Sequence, residues 1–179
     1  FEQMDGRQLM SELLEQAAKA ICERFGAEDL RFRDEITLML KPEHLLEAAQ
    51  VLRNEYSFDV LLDETAVDYW PQETPRFHVI YQLRSSKANV LLRLRVPLDG
   101  NAPHIETIEK IYPMANWKER EIWDLMGITF DGHSDPRRIV LPADWVGHPL
   151  RKDYPLGYEE VQFSFNKEDV DRRKPYAKE

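Results

Sequence analysis

Cysteine and glycine are scarce in this sequence, and long apolar runs are missing. The single cysteine, Cys22, excludes an internal disulfide and any iron–sulfur or zinc site built from several cysteines. The seven glycines show no spacing typical of a dinucleotide-binding fingerprint or a P-loop. No apolar run approaches the roughly 20 residues that span a bilayer. The opening FEQMDGRQLM has no basic segment followed by an apolar core. We therefore expect neither a transmembrane segment nor a signal peptide.

Positive charge is also in short supply. The chain has 24 Lys and Arg against 33 Asp and Glu, a net charge of −9. Because phosphate binding needs a basic footprint, nucleic acid is not the expected partner. Its 179 residues are 42% hydrophobic and 32% charged, which is typical of one globular domain with a polar surface. Together with the lone cysteine, this composition indicates an intracellular protein.

The first half of the chain shows clear periodicity. Apolar residues three or four positions apart predict a helix over residues 7–25, which Gly26 ends. Alternation on both sides of residues 34–35 predicts a tight hairpin. Pro42 then opens a second amphipathic helix that ends near Tyr56.

Three strands and two helices are predicted after the second helix. The strands lie in FDVLLDETAVDYW, RFHVIYQL and NVLLRLRV, and the short SSKA connection predicts that the last two pair antiparallel. A short helix is predicted in APHIETIEKIYP and a longer one in NWKEREIWDLMG. This order predicts an α+β fold, in which helices cover one face of a mostly antiparallel sheet.

Regular periodicity fades after residue 130. Prolines and glycines are interleaved there with aromatic residues almost to the end of the chain. The aromatic content favours an arm laid over a partner rather than simple disorder. We therefore expect an α+β globular domain over residues 1–130 and a long extended, largely irregular C-terminal arm over residues 131–179.

The stretch NWKEREIWDLMGITFDGH, residues 116–133, combines charge with helix signals. Asn116 is expected to cap the helix, with Glu119 three residues on as in a capping box. Gly127 is expected to end the helix in a left-handed conformation. These three residues are explained by helix physics alone.

The remaining charges of this helix need partners. Arg120 and Asp124 are four positions apart and can form a pair, whereas Glu121 and Asp124 repel each other unless a cation lies opposite. The residues alone leave open whether these charges pair within the chain or across an interface. The chain's own cations available to them are Arg137, Arg138, Arg151 and Lys152.

Catalytic and metal-binding patterns are missing from the sequence. There is no His-Glu-x-x-His pair and no nucleophile elbow, and the five histidines are scattered over different elements. His133 and His148 provide too few ligands to favour a metal site. A carboxylate pair can be drawn from any two of 33 acids, so such a proposal has no specificity.

A known family shares the spacing of the charged residues in the stretch 116–133 and of the arginines that follow it. Upstream DETAVDYWP and RFHVIYQLRS, and downstream RRIVLPADWVGHPLRKDYP, also look like segments of that family, over roughly residues 30–160. The shared signature comprises Glu119-Arg120-Glu121, Asp124-Leu125-Met126, His133 and Arg137-Arg138-Ile139. In these segments the chain resembles the 30-kDa subunit of respiratory complex I, which in bacteria is the C subunit of NADH-quinone oxidoreductase.

The resemblance implies a non-catalytic structural subunit of the peripheral arm of proton-translocating NADH:quinone oxidoreductase. It implies no cofactor, metal or catalytic group in this chain, with FMN and iron–sulfur clusters in partner subunits and NAD and quinone as substrates of the complex. The implied partners are other complex I subunits, chiefly the 49-kDa-type subunit and the subunit that holds the terminal cluster. The implied location is peripheral, on the cytoplasmic face of the bacterial plasma membrane or the matrix or stromal face in an organelle.

Carried over residue by residue, the resemblance implies structural or partner-interface roles. Three alternatives remain open: an equivalent subunit of a ferredoxin- or F420-dependent complex or membrane-bound hydrogenase, a free-standing hydrolase using the carboxylates of Glu119 and Asp124, and a generic acidic adaptor. The implied interface residues are Glu119, Arg120, Glu121, Asp124, His133, Arg137, Arg138, Arg151, Lys152, Asp153 and Tyr154.

Overall fold

Three helices and seven strands form the part of the chain that the computed structural model describes, residues 6–33 and 35–155, with side chains from residue 12. The predicted α+β class is confirmed. In chain order the elements are α1 (Gly6–Phe25), β1 (Glu28–Phe32), β2 (Glu35–Met39), a 3-10 turn (Pro42–His44), α2 (Leu45–Tyr56), β3 (Val60–Asp68), β4 (Phe77–Ser85), β5 (Val90–Leu98), β6 (His104–Glu106), α3 (Ala115–Met126) and β7 (Thr129–Asp131).

The main sheet has five strands in the order β1-β2-β5-β4-β3. Three of its four neighbouring pairs are antiparallel, including the two predicted hairpins, and only β2 and β5 run parallel. The mostly antiparallel sheet is therefore confirmed. A second sheet of two short parallel strands, β6 and β7, was not expected.

The core lies between the main sheet and the helices. α1 packs against α2, β2 and β5, while α3 packs against β3. Alternate residues of β4 face the helices, and Phe77, Val79, Tyr81 and Leu83 are fully buried. The predicted stop at Gly26 is confirmed by its φ of +64°, and α2 ends at Tyr56 as expected.

Two predictions next to α3 are wrong. Residues 102–113 do not form a helix, because Ile105 lies in β6, paired with Phe130 of β7, and turns follow as far as Pro113. The periodicity came from isoleucines that point into the core from a strand and then from turns. Asn116 is not the N-cap, since α3 already begins at Ala115. Its amide donates instead to Glu109, at 2.8 Å.

The described part of the predicted arm begins with Asp131, the last residue of β7, and contains no helix or strand after it. We name residues 133–155 the strap, because this segment lies along α3 and reaches the edge of the main sheet near Asp68. The rest of the predicted arm, residues 156–179, lies outside the described residues. Within the described ranges, none of the helices is both long and apolar enough to span a bilayer.

Candidate functional site

The buried carboxylate of Glu119 connects α3 to the segment after β6. It accepts hydrogen bonds from the Thr107 hydroxyl, at 2.5 Å, and from the backbone N–H of Ile108, at 2.8 Å. Its side chain has no exposed surface. Burial raises the pKa of Glu119 to about 7, against the effect of these two hydrogen bonds, which lower it. Glu119 thus joins α3 to the Thr107–Ile108 segment and is not an N3 capping residue.

His133 begins the strap on the same side of α3. Its Nδ1 accepts from the backbone N–H of Asp135 at 3.0 Å, so Nε2 carries the proton of the neutral ring and donates to the carbonyl of Asn116 at 3.0 Å. Nε2 also lies 3.7 Å from the Glu119 carboxylate and 3.8 Å from that of Glu109. All these groups have partners within the chain, so the cluster holds the start of the strap.

Asp124 binds the middle of the strap. One carboxylate oxygen accepts from Arg138 at 2.5 Å, and the other accepts from three consecutive backbone N–H groups, those of Ile139, Val140 and Leu141, at 2.8 to 3.1 Å. Burial alone would raise its pKa, but these hydrogen bonds outweigh burial and lower the pKa of Asp124 to about 2. Arg120, whose spacing allows a pair with Asp124, bonds instead to carbonyls of the strap.

The strap also completes the C-terminus of α3. The last four carbonyls of a helix have no partner within it, and here each is bonded. Gly127 N–H donates to Trp123, His148 Nδ1 to Asp124, Leu150 N–H to Leu125 and Arg151 Nε to Met126, at 2.8 to 3.0 Å.

Gly127 is required by two features of this end. Its φ of +71° is left-handed, as predicted for the helix stop. A Cβ built there would lie 2.5 Å from the His148 ring. The strap therefore packs against the backbone at a position that only glycine can occupy without displacement.

A second anchor lies at the end of the strap, and sequence reasoning missed two of its four members, Arg76 and Asp68. The Arg76 guanidinium donates to Asp68, at 2.8 and 2.9 Å, and to Asp153, at 2.6 and 2.9 Å. The Lys152 backbone N–H also donates to Asp68 at 2.8 Å. Burial acts to raise the pKa of Asp68, but these hydrogen bonds and that of Trp70 lower it to about 2. The one signal available in the sequence was that Asp68 lies two residues after Ala66, on the side of β3 that alternation directs toward the core.

The other predicted residues have smaller roles in the described structure. Arg120 donates to the carbonyls of Arg137 and Arg138, at 3.0 and 3.3 Å. Arg137 and Glu121 are exposed, the first paired with Asp135 at 2.6 Å and the second 3.9 Å from Lys118.

Lys152 and Tyr154 lie near the C-terminal end of the strap. The Tyr154 ring lies under Gly147, where an added Cβ would be 2.8 Å from it. The Lys152 side chain is exposed, so this residue contributes to the anchor only through its backbone N–H. Most of the predicted charges thus pair within the chain and hold the strap on α3.

The strap presents apolar side chains to solvent. Its backbone is fixed by Asp124 and by the end of α3, so these side chains have a defined arrangement. Several exposed apolar residues on one short segment make it a candidate interaction surface. The exposed apolar residues of the strap are Ile139, Val140, Trp145, Val146 and Leu150.

Residues 6–33 and 35–155 contain no cluster of three or more His, Cys, Asp or Glu side chains arranged to hold a metal ion.

Comparison with known proteins identifies the family of this chain. The model of the family described as "Respiratory-chain NADH dehydrogenase, 30 Kd subunit" matches residues 38–160. The chain belongs to this family.

Individual relatives agree with the family match. The chain is 42% identical over 150 residues to the C subunit of NADH-quinone oxidoreductase from Roseiflexus sp. (strain RS-1), covering 83% of this chain and 86% of the relative. Among solved structures it resembles "Nqo5 of the trypsin-resistant fragment (1-134) in P63 form", with a TM-score of 0.59, 27% identity and coverage of 70% and 98% of the two chains.

A more distant structure shares the fold. It is a chain of the "membrane-bound sulfane sulfur reductase (MBS), an archaeal respiratory membrane complex", with a TM-score of 0.61 and 18% identity over 97% of this chain and 96% of that one. The two chains therefore share a fold over most of their length.

Proposed function

We propose that this chain is a non-catalytic structural subunit of the peripheral arm of proton-translocating NADH:quinone oxidoreductase. The proposal rests on where the charged residues of the signature bind. Asp124, Arg138 and Glu119 form bonds within the chain, and the strap they hold presents an apolar surface to solvent. The relatives, which are named as C subunits of NADH-quinone oxidoreductase, support the assignment to this complex.

In this proposal the electron-transfer chemistry belongs to other subunits. Electrons pass from NADH through FMN and iron–sulfur clusters of partner chains to quinone. This chain packs against the 49-kDa-type subunit and the terminal-cluster subunit, at the cytoplasmic face of the membrane or its organellar equivalent. The strap provides the contact surface, since its apolar residues Val140, Trp145, Val146 and Leu150 are 41–85% exposed in the described structure.

The geometry argues against the hydrolase alternative. The carboxylates of Glu119 and Asp124 are both fully buried, so neither opens to a cleft where a substrate could bind. Three backbone N–H groups and an arginine hold Asp124 ionised. A general acid–base pair needs groups that reach the reacting atoms, and these groups reach only the strap and the Thr107 region.

The proposal is tested by affinity purification of the tagged full-length chain from native membranes. The expected result is co-purification of the FMN, iron–sulfur and quinone-site subunits, together with NADH:quinone activity. Recovery of ferredoxin-, F420- or hydrogen-oxidising subunits instead would assign the chain to a related complex. Recovery of the chain alone would refute the proposal.

A further inference from the structure

One face of the main sheet carries a shallow groove with positive charge. Alternate residues of β4 and β5, such as Tyr81 and Leu94, point into the core. The residues between them point to the opposite face, where a groove of about 440 Å³ crosses all five strands. Three arginines line this groove, and no Asp or Glu of the described chain does. The groove is therefore basic, although the chain as a whole has a net charge of −9.

Two of the three arginines are neutralised by carboxylates of this chain. Arg31 bonds to Glu15 at 2.7 Å, and Arg93 bonds to Glu35 at 3.0 Å. Arg95 differs from both, because its two side-chain hydrogen bonds within the described ranges go to an imidazole and to a phenol. No carboxylate of those ranges lies within 4 Å of its guanidinium. Arg95 thus brings a positive charge to the groove without a described counter-charge.

Two aromatic side chains hold the Arg95 guanidinium in a defined orientation. Its Nε donates to Nδ1 of His78 at 2.7 Å, and Nη2 donates to the hydroxyl of Tyr69 at 2.7 Å. The guanidinium also lies 5.4 Å from the centre of the Tyr69 ring. Burial, and then the charge of Arg95, lower the pKa of His78 to about 4, so its ring is neutral near pH 7 and Nδ1 can accept. The donors of Arg95 are therefore oriented before any partner binds.

We propose that this groove is a second docking surface, which receives an Asp or Glu side chain of a neighbouring subunit against Arg95. A carboxylate and a guanidinium form charge-assisted hydrogen bonds, and an arginine that is already oriented loses less rotamer freedom on binding. Ile80 and Phe32, the latter 69% exposed, give the groove apolar area as well. An acidic segment that also carries apolar residues is the complement of this lining. No described strap residue lines the groove, so this contact is separate from the strap.

This inference rests on the proposed function, because it requires a neighbouring subunit. Its test is the Arg95→Gln variant of the tagged full-length chain, purified from native membranes over a series of sodium chloride concentrations. Arg84→Gln is the matched control, since Arg84 is an exposed arginine on the same face of β4 and lies outside the groove. We expect Arg95→Gln to lower retention of partner subunits at least about tenfold, whereas Arg84→Gln leaves retention unchanged.

A second pair of variants tests the groove without changing Arg95. Thr65 is exposed and lines the groove, so Thr65→Asp places a like charge where the partner's carboxylate is expected to bind. Leu91→Asp adds the same charge to the same face, but Leu91 lies four residues before Arg95 on β5 and outside the groove. We expect Thr65→Asp to lower retention and Leu91→Asp to keep it. Both variants should unfold in urea like the wild type, because both positions are exposed.

The salt series separates docking from a structural role of Arg95. Salt screens a charge pair between subunits, so retention of the wild type should fall as sodium chloride rises, and the retention left in Arg95→Gln should fall less steeply. Loss of retention in Arg95→Gln alone, with normal retention in Thr65→Asp, would show that Arg95 only supports Tyr69 and His78. That result overturns the inference.

A small anion in the groove would give a different pattern. The free wild-type chain, but not Arg95→Gln, would then be more stable in sodium phosphate than in sodium chloride at the same ionic strength, and that result also overturns the inference. If the wild type retains no subunits at all, the proposed function fails and this inference falls with it. If the wild type, Arg95→Gln and Thr65→Asp retain the same subunits equally, only the inference fails.

Discussion

Replacing Asp124 with asparagine removes the group that holds the strap most strongly. The carboxylate is fully buried and accepts four hydrogen bonds, which lower its pKa from 3.8 to about 2. Because one pKa unit corresponds to about 1.4 kcal/mol, ionised Asp124 stabilises the folded state by about 2.5 kcal/mol near neutral pH. An asparagine side chain can accept through only one oxygen, and its amide nitrogen would face N–H donors. We therefore expect Asp124→Asn to lose about 2.5–4 kcal/mol of unfolding free energy.

The pH dependence gives an independent check of this reasoning. A carboxyl group whose folded pKa is lowered contributes stability above its unfolded pKa, and loses it as pH falls through its folded pKa. The difference in unfolding free energy between wild type and Asp124→Asn should therefore shrink as pH falls from about 5 towards 2.

Urea unfolding followed by circular dichroism measures both quantities. Asp144→Asn is the matched control, because Asp144 is exposed on the same strap and accepts no side-chain hydrogen bond from the described residues. Its effect should stay within about 0.5 kcal/mol. If Asp124→Asn were as mild as this control, the account of the strap would be refuted.

Three further substitutions test the remaining contacts. Gly127→Ala should cost clearly more unfolding free energy than Gly26→Ala, because both have positive φ but only position 127 meets a histidine ring, and Gly26 has open space around it. Glu119→Gln should flatten the pH dependence of stability: the raised pKa of Glu119 makes the wild type about 3 kcal/mol more stable near pH 4.5 than above pH 7, and glutamine removes that difference. Arg76→Met should cost about 3–5 kcal/mol, since it leaves buried Asp68 without its cation. Urea unfolding of each purified variant checks all three.

Each of these expectations can fail separately. Equal costs at the two glycines would mean that the strap yields easily to an added Cβ. An unchanged pH slope in Glu119→Gln would mean that folding does not raise the pKa of Glu119. A mild Arg76→Met would mean that the backbone N–H donors alone satisfy Asp68.

The sheet and the first two helices were predictable because local periodicity determines them. Residues 7–25 carry a helical stripe, and the strands of both predicted hairpins alternate, so burial on one side specifies each element. β6 and β7 were not predictable in the same way. Each is three residues long, and pairing between segments distant in the chain holds them together. The isoleucine spacing in that region fits a helix equally well.

The site was only half predictable for the same reason. The resemblance named Asp124 and Arg138 as interface residues, but local spacing allowed a pair between Asp124 and Arg120 and left the partner of Asp124 open. In the structure Arg138, which lies 14 positions after Asp124, is its cationic partner. The three strap N–H groups that bond to Asp124 hold the strap, and with it Arg138, next to α3. The second anchor joins Arg76 to Asp153, which lies 77 positions further along the chain. No local pattern contains that information.

The most direct test of the docking claim is a charge placed on the strap surface. Val146 is 85% exposed, so Val146→Asp should leave the stability of the free chain unchanged. The matched control is Leu91→Asp, an exposed apolar residue of β5 that the strap does not include. Both variants of the tagged chain are purified from native membranes, and partner subunits and NADH:quinone activity are measured. The account predicts that Val146→Asp loses both and Leu91→Asp keeps both. Full retention of partners and activity by Val146→Asp would contradict it.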